Sequence, residues 1–161
     1  MTQNGYETQN DPQRVVVNAH HLKAQHEAET VGTVRAGHLV EETANGVQPL
    51  SVDGSRPGRI LIALDLPGRG YQHGDAFPEG ETIEYAEVTG GAVRGLLATG
   101  NNVSLTDDLT SAGDGTVRAM TGDGSDTAVF QVPGDEPVNK SYGIDTTGAS
   151  DAQLVHMEVT H

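Results

Sequence analysis

Turn-forming residues interrupt this sequence at short intervals and leave apolar runs of only a few residues between them. Asn45-Gly46, Gly100-Asn101-Asn102, Gly113-Asp114-Gly115 and Gly122-Asp123-Gly124 all stand between such runs. Asn-Gly and Asp-Gly are strong hairpin signals, because a type I′ turn needs positive φ at both of its central residues. The pattern predicts an all-β fold, a compact β-barrel or sandwich of short antiparallel strands.

The alternation of apolar and polar residues locates the individual strands. The predicted strands lie at residues 14–17, 34–42, 47–52, 59–66, 81–88, 116–118, 127–132 and 153–160. Residues 59–66 are the most apolar and should run through the centre of the fold, whereas 81–88 should form a bent edge. Residues 20–28 could form a short helix, although a solvated polar segment is favoured because they are polar and carry three histidines.

The chain is strongly acidic, with a formal net charge of −14 and 23 acidic residues against two lysines and seven arginines. Carboxylates repel one another in dilute buffer, but the Debye length falls to roughly 3 Å near 1 M salt. The surface therefore suits a protein that works in concentrated salt. Nucleic-acid binding is disfavoured, because it needs a basic surface.

Large apolar side chains are scarce. Val, Leu, Ile and Phe together number 34 of 161 residues, and there is no Trp. A β-domain with so thin a core gains from sharing apolar surface with its neighbours, so we expect an oligomer or a docked subunit. Ile60, Ile62 and Leu64 should lie in the subunit's own core, whereas Tyr71 and Phe77, on a long loop, are candidates for contacts between subunits.

The first 13 residues are polar and contain nothing to bury. We therefore predict a flexible N-terminal arm at 1–13 and a β-rich domain at 14–161. Tyr6 and the strand-like residues at 14–17, among them Arg14 and Val15, can add to an exposed sheet edge of a neighbouring subunit. These three residues are accordingly assigned to an interface with a partner.

No set of residues in the sequence predicts catalysis, a cofactor or a metal ion. His21 and His26 are five residues apart, whereas helical metal ligands stand four apart. Adjacent Asp107 and Asp108 face opposite sides of a strand and cannot act as a carboxylate pair. Residues 122–128 nearly match a calcium-binding nonapeptide, but such sites need stacked copies, so a plain turn is favoured.

Neither a signal peptide nor a membrane span is predicted, since the longest apolar run covers only residues 60–64. Cysteine is absent, so the sequence does not indicate a redox compartment. Asn102 and Asn139 each match the N-glycosylation pattern. Because such matches are close to chance in a chain rich in Asn, Ser and Thr, glycosylation of either residue stays open.

Several segments follow one another in a recognisable order: AGHLVE at 36–41, NGV at 45–47, LIALD at 61–65, VRGLLATGNNV at 93–103, Leu109, SAGDGTVR at 111–118 and VHMEV at 155–159. Together they resemble a family of small structural proteins of tailed viruses, which are encoded with the capsid genes and decorate or cement the head. The resemblance covers residues 33–161. The very acidic surface and the loop at 67–78 depart from the family pattern.

The resemblance implies a β-rich fold, homotrimers on the capsid exterior and no enzymatic activity. The expected partners are the major capsid protein and further copies of this chain, without nucleic acid or membrane. Made in the host cytoplasm, the protein would end on the outer surface of the virion. Combined with the acidity, the resemblance implies a virus of a halophilic archaeon. In this setting the interface residues are Tyr6, Arg14, Val15, Tyr71 and Phe77, which contact the capsid or a neighbouring subunit.

Two other functions stay open at this point. One is a halophilic enzyme, which a cleft with converging polar groups would support. The other is a tail or spike component that contacts the host, which would favour exposed loops rich in aromatic residues. Aromatic residues make up only 4% of this chain.

Overall fold

A computed structural model describes residue 15 and residues 22–71, 74–133 and 144–160. Within these residues the regular structure is β apart from one 3₁₀ turn at Pro67–Arg69. The strands are β1 Leu22–Glu29, β2 Val34–Arg35, β3 Leu39–Thr43, β4 Gly46–Pro49, β5 Leu61–Ala63, β6 Ala76–Phe77, β7 Thr82–Val88, β8 Ala92–Leu97, β9 Asn102–Val103, β10 Asp108–Ser111, β11 Val117–Ala119, β12 Phe130–Gln131, β13 Ile144–Asp145 and β14 Gln153–Val159. The predicted all-β class is confirmed.

The first half of the chain forms a five-stranded antiparallel sheet with the order β1-β7-β5-β3-β4. The apolar strand β5 lies at its centre, as predicted. The hairpin predicted at Asn45-Gly46 is present as β3–β4, but its two loop residues are Ala44 and Asn45, and neither has the positive φ of a type I′ turn. Gly46 is the first residue of β4, which ends at Pro49 on the sheet edge. Ile60, Ile62 and Leu64 are at most 6% exposed, which confirms their place in the core.

The second half of the chain forms a closed barrel with the strand order β10-β11-β8-β14-β12. All pairs are antiparallel except β8 and β11, which run parallel. The predicted hairpin around Asp114-Gly115 is present as β10–β11, but the turn type is different. Five residues separate the strands, and the positive φ angles fall on Gly113 (86°) and Gly115 (87°) rather than on two adjacent residues.

The sheet and the barrel are joined through backbone hydrogen bonds and one continuous apolar core. The Leu39 N–H donates to the Gly115 carbonyl at 2.8 Å, and the Gly115 N–H donates to the Leu50 carbonyl at 3.1 Å. The tip of the β10–β11 hairpin is therefore held against β3 and the end of β4. A Cβ on Gly115 would lie 2.9 Å from the His38 ring, so only glycine fits this close approach.

Several predictions about the secondary structure are wrong in detail. Residues 20–28 were expected to be helical or solvated, but β1 occupies residues 22–29 because exposed and half-buried side chains alternate there along the edge of β7. The strand at 81–88 is not an edge, since β7 is covered by β1 on one side and β5 on the other. The strands predicted at 47–52, 59–66 and 127–132 shorten to β4, β5 and β12, and the strand predicted at 34–42 divides into β2 and β3.

The arm predicted at residues 1–13 lies outside the described residues, so the division into arm and domain stays a prediction. Of the strand predicted at 14–17, the structure describes Val15. Its side chain is fully buried, its N–H donates to Asp65 Oδ1 at 3.0 Å, and its carbonyl accepts from the Arg94 N–H at 2.6 Å. Val15 thus packs into the core of its own chain.

Candidate interaction surface

A network of ion pairs spans the five-stranded sheet near the start of β1. Arg59 donates to Glu42 at 2.6 Å and to Glu87 at 3.1 Å, and Lys23 pairs with Glu87 at 3.3 Å. The Tyr85 hydroxyl donates to Glu42 at 2.6 Å. Burial and the hydrogen bond to Glu42 raise the pKa of Tyr85 to about 12, and the hydrogen bonds from Tyr85 and Arg59 lower the pKa of Glu42. The acids in this network are ionised and paired, which favours a structural role over proton transfer.

His38 is buried where the sheet and the barrel meet. The residue is 6% exposed, and its Nδ1 accepts from the Arg35 N–H at 3.0 Å. Burial, aided by the positive charge of Arg35, lowers the pKa of His38 to about 4, against the opposite effect of Asp114 and Asp151. His38 is therefore a neutral acceptor near pH 7 and holds the turn before β3 in place.

A second ionic contact ties the loop after β4 to the barrel. Arg118 on β11 donates to Asp53 at 3.0 Å and to Asp126 in the following turn. The Gly54 N–H donates to the Ser111 carbonyl, and the Thr127 N–H donates to the Gly54 carbonyl, each at 2.9 Å. These contacts hold the loop after β4 against the barrel.

The carboxylates of Asp107 and Asp123, in the acidic motifs of the sequence, accept hydrogen bonds from residues two or three positions away. Asp123 accepts from the Ser125 hydroxyl, the Thr121 hydroxyl and the Ser125 N–H, and these bonds lower its pKa to about 2. Asp107 accepts from the Ser104 N–H at 2.8 Å. In the residues that the structure describes, His, Asp and Glu form no group of three or more that could hold a metal ion.

The predicted interface residues do not come together in one described patch. Tyr6 and Arg14 lie outside the described residues. Phe77 is 1% exposed and contacts the half-buried Tyr71 edge-on, with ring centroids 4.9 Å apart. Phe77 lies inside its own subunit because β6, which contains it, pairs with β2; its side chain has almost no surface left for another subunit. Interface roles for all five residues stay predictions.

The described surface offers little apolar area to a partner. Val52, at 38%, is the one large apolar side chain classed as exposed among the described residues. Asn102 of the first glycosylation pattern is exposed on β9, and Asn139 lies outside the described residues. No described helix has the length and hydropathy that a membrane span requires.

The open edge of β1 is the surface feature that sequence reasoning missed. In the described part of the chain, β1 pairs with β7 alone, and it borders a shallow depression of about 270 Å³ lined by Gln25, His26, Glu27 and Glu84. The signal in the sequence was the alternation of Lys23, Gln25 and Glu27 with the less polar residues between them. A helical interpretation obscured it because every one of these residue types is tolerated in helices.

Comparison with solved structures gives a likeness of fold, whereas comparison with family models and curated proteins gives no match. Among solved structures, the chain is similar to the N base of the head fiber protein gp8.5 of bacteriophage phi29, with a TM-score of 0.52 and 13% identity. The likeness covers 85% of this chain and 93% of the phage protein. At this identity the comparison shows a shared fold.

Proposed function

We propose that this chain is a structural protein of a tailed-virus head, which binds the outer surface of the capsid as a homotrimer and stabilises it. The observation that carries the proposal is the fold shared over nearly the whole length of both chains with a protein of a phage head fiber. The sequence resemblance to head decoration proteins points the same way. Paired carboxylates and the absence of a metal-binding group among the described residues fit a structural role.

The proposed partner is the major capsid protein, and the proposed attachment uses the arm at residues 1–13 with Tyr6 and Arg14, whereas Val15, predicted as a third contact, would hold the arm to its own chain. Strand addition by such an arm satisfies backbone groups and needs little side-chain specificity. Because Val15 is fixed in its own core, the arm would start from an anchored point. The net charge of −14 supports the further proposal that the virus infects a halophilic archaeon.

The test uses virus particles from the host that carries this gene. Quantitative gel analysis of purified particles should show the protein in hundreds of copies, and antibodies should label intact particles if the protein lies outside the capsid. Purified full-length chain should rebind particles stripped of it, whereas chain lacking residues 1–13 should rebind weakly. Absence from purified particles would contradict the proposal, and labelling of disrupted particles alone would place the protein inside the head.

A further inference from the structure

The turn between β3 and β4 holds an exposed asparagine directly before a glycine. Its two loop residues, Ala44 and Asn45, are both exposed. The Asn45 N–H donates to the Thr43 hydroxyl at 3.2 Å, whereas the side-chain amide of Asn45 makes no hydrogen bond within the described part of the chain. The carbonyl carbon of this amide is therefore open to attack by a neighbouring nucleophile.

The nearest nucleophile along the chain is the backbone nitrogen of Gly46. A bond from this nitrogen to the side-chain carbonyl carbon of Asn45 closes a five-membered ring. A side chain on the following residue would crowd this approach, and glycine has none. Thr43 and Gly46 are the last pair of the β3–β4 ladder, and the end of a ladder opens at small cost in free energy. The ring can therefore close while the rest of the sheet stays folded.

We propose that Asn45 is a site of spontaneous covalent modification, with water as the only other reactant. The Gly46 nitrogen loses its proton to solvent and adds to the side-chain carbonyl carbon of Asn45, and the amide nitrogen leaves as ammonia. Water then opens the cyclic imide at either of its two carbonyl carbons. One opening gives aspartate with the original backbone, and the other gives isoaspartate, whose backbone runs through the side chain. Neither step oxidises or reduces any group.

The other described asparagines are poorer sites. The Asn101 amide is held at both ends, since its nitrogen donates to the Ala98 carbonyl at 3.0 Å and its oxygen accepts from the Ala119 N–H at 2.9 Å. Asn102 is exposed, but it is followed by Val103, whose branched side chain is stiff and crowds the backbone beside it. Among the described asparagines, the structure therefore singles out Asn45.

The described Asp-Gly pairs are also poorer sites, although they could form the same ring with loss of water. An ionised carboxylate repels a nucleophile, whereas the amide of Asn45 is neutral. Each of these carboxylates also accepts a hydrogen bond that holds it in place: Asp53 from Arg118, Asp114 from Thr116 and Asp123 from Ser125.

The two products differ in their effect on the fold. Aspartate keeps the backbone and adds one negative charge at an exposed position. Isoaspartate adds one carbon to the backbone just before Gly46. An added Cβ on Gly46 would lie 2.1 Å from the Glu29 carbonyl oxygen, and the Gly46 carbonyl accepts from the Thr43 hydroxyl at 3.1 Å. A lengthened backbone does not fit both contacts, so isoaspartate loosens the start of β4 from the end of β1.

Peptide mapping of full-length protein, kept for weeks in mildly alkaline molar salt, tests the site. Conversion of the amide to an acid raises the mass, and the segment between Arg35 and Arg59 contains no asparagine besides Asn45. The second Asn-Gly pair, Asn4-Gly5, lies outside the described residues and falls in a different peptide. We expect several-fold faster conversion at Asn45 than at Asn101. The rate should rise with pH, because the attacking nitrogen must lose its proton.

Asn45→Gln is the matched control for this experiment. Glutamine keeps an exposed amide, but its ring with the Gly46 nitrogen would have six members and forms more slowly. The mass gain in this peptide should therefore disappear. No conversion at Asn45 in the wild type, a rate equal to that at Asn101, or an unchanged gain in Asn45→Gln would each overturn the proposal.

The encoded variant Asn45→Asp separates the added charge from the lengthened backbone. An isoaspartyl methyltransferase measures the isoaspartate in aged wild type, with equally aged Asn45→Gln as the blank. The thermal midpoint of aged wild type should fall by several degrees as this isoaspartate accumulates, whereas Asn45→Asp and aged Asn45→Gln should stay near the fresh protein. An aged wild type that is as stable as Asn45→Asp would overturn the effect assigned to isoaspartate. Both experiments use the isolated chain and do not depend on the proposed function.

Discussion

The guanidinium of Arg118 donates to both carboxylate oxygens of Asp126, at 2.8 and 2.9 Å, and the Asp126 side chain is only 5% exposed. Such a two-point contact lowers the pKa of Asp126 and fixes the turn that leads from β11 to β12. A Cβ on Gly54 would lie 2.5 Å from Asp126 Oδ1, so the carboxylate also fills the space beside the loop after β4. One ion pair thereby orders two loops.

Replacing Arg118 with lysine should destabilise the protein although the charge is kept. Lysine lacks the planar fork that binds both oxygens of a carboxylate. We expect the thermal midpoint of Arg118→Lys to fall by several degrees. Arg69→Lys is the matched control, because Arg69 pairs with Glu81 at a more exposed site and should change the midpoint little. Equal shifts in the two variants would contradict this role of Arg118.

The buried His38 should make the protein sensitive to acid. Its pKa of about 4 in the folded state lies below the ordinary value of 6.5, so between these values the unfolded chain binds a proton that the folded chain does not. The stability that neutral His38 contributes is present above pH 6.5 and is lost as the pH falls to about 4. A pKa difference of this size changes the free energy of unfolding by roughly 3 kcal/mol across this pH range.

Denaturant unfolding of the wild type and His38→Asn at several pH values measures this effect. Asparagine cannot titrate but keeps a side-chain oxygen as a possible acceptor for the Arg35 N–H. We expect the variant to be less stable at pH 7.5, with a difference that shrinks by roughly 3 kcal/mol towards pH 4. Other titrating groups cancel in this difference. Parallel stability profiles would show that His38 does not carry the acid sensitivity.

Glycine at position 46 should be necessary for the close backbone contact between the end of β1 and the start of β4. Gly46 has φ of +146°, and an added Cβ would lie 2.1 Å from the Glu29 carbonyl oxygen. Gly100 has φ of +79° with nothing within 4 Å of an added Cβ, so Gly100→Ala isolates the conformational cost of about 1–2 kcal/mol. Gly46→Ala should cost at least about 2 kcal/mol more in unfolding free energy. Similar losses of unfolding free energy in both variants would show that the contact between Glu29 and Gly46 contributes nothing to stability.

Low salt should weaken the structure or its oligomeric state. With −14 per subunit, carboxylate repulsion grows as screening falls, and we expect losses below about 0.5 M salt. Circular dichroism and light scattering across a salt series would record them. Sucrose at matched osmolality is the control, because it stabilises compact states without screening charge. An unchanged fold and mass in dilute buffer would count against adaptation to concentrated salt.

The proposed trimer should be visible by analytical ultracentrifugation in molar salt. Phe77→Asp is a poor probe of it, because a side chain that is 1% exposed is part of the core and its loss typically costs about 3–5 kcal/mol. We expect that variant to unfold. Tyr71→Asp alters a half-buried ring and should shift the trimer towards monomer with its circular dichroism retained. A monomeric wild type would end the trimer proposal, and an unaltered Tyr71→Asp trimer would remove Tyr71 from the interface.

Local patterns in the sequence were sufficient for the elements whose partners are adjacent along the chain. The β3–β4 hairpin lies where Asn45-Gly46 predicted one, although with a different turn, and the position of β14 follows from its apolar alternation. The parallel pairing of β8 with β11 has no local signal, since Leu97 meets Val117 only after the β10–β11 hairpin has folded back. Turn residues predict where a strand ends, and they do not predict which strand lies beside it.

The candidate surface was predicted less well for the same reason. Whether Phe77 is an anchor for a neighbour or a core residue depends on the pairing of β6 with β2, which the sequence does not reveal. The open edge of β1 is likewise defined by what fails to pair with it in the described part of the chain. Residues 1–13, which sequence reasoning made central to attachment, lie beyond the described residues and keep the status of a prediction.

The position of β14 between β8 and β12 has a consequence for how this chain folds during synthesis. Residues 98–152 lie between β8 and β14, so the barrel cannot close until the ribosome has made most of the chain. Until then β8 and β12 each lack a neighbouring strand. Closing the long segment between β8 and β14 also costs conformational entropy, which slows the formation of these contacts. We expect the first sheet to fold early and the barrel to assemble in a slower, final step, during which the nascent protein is most exposed to misassembly with other copies.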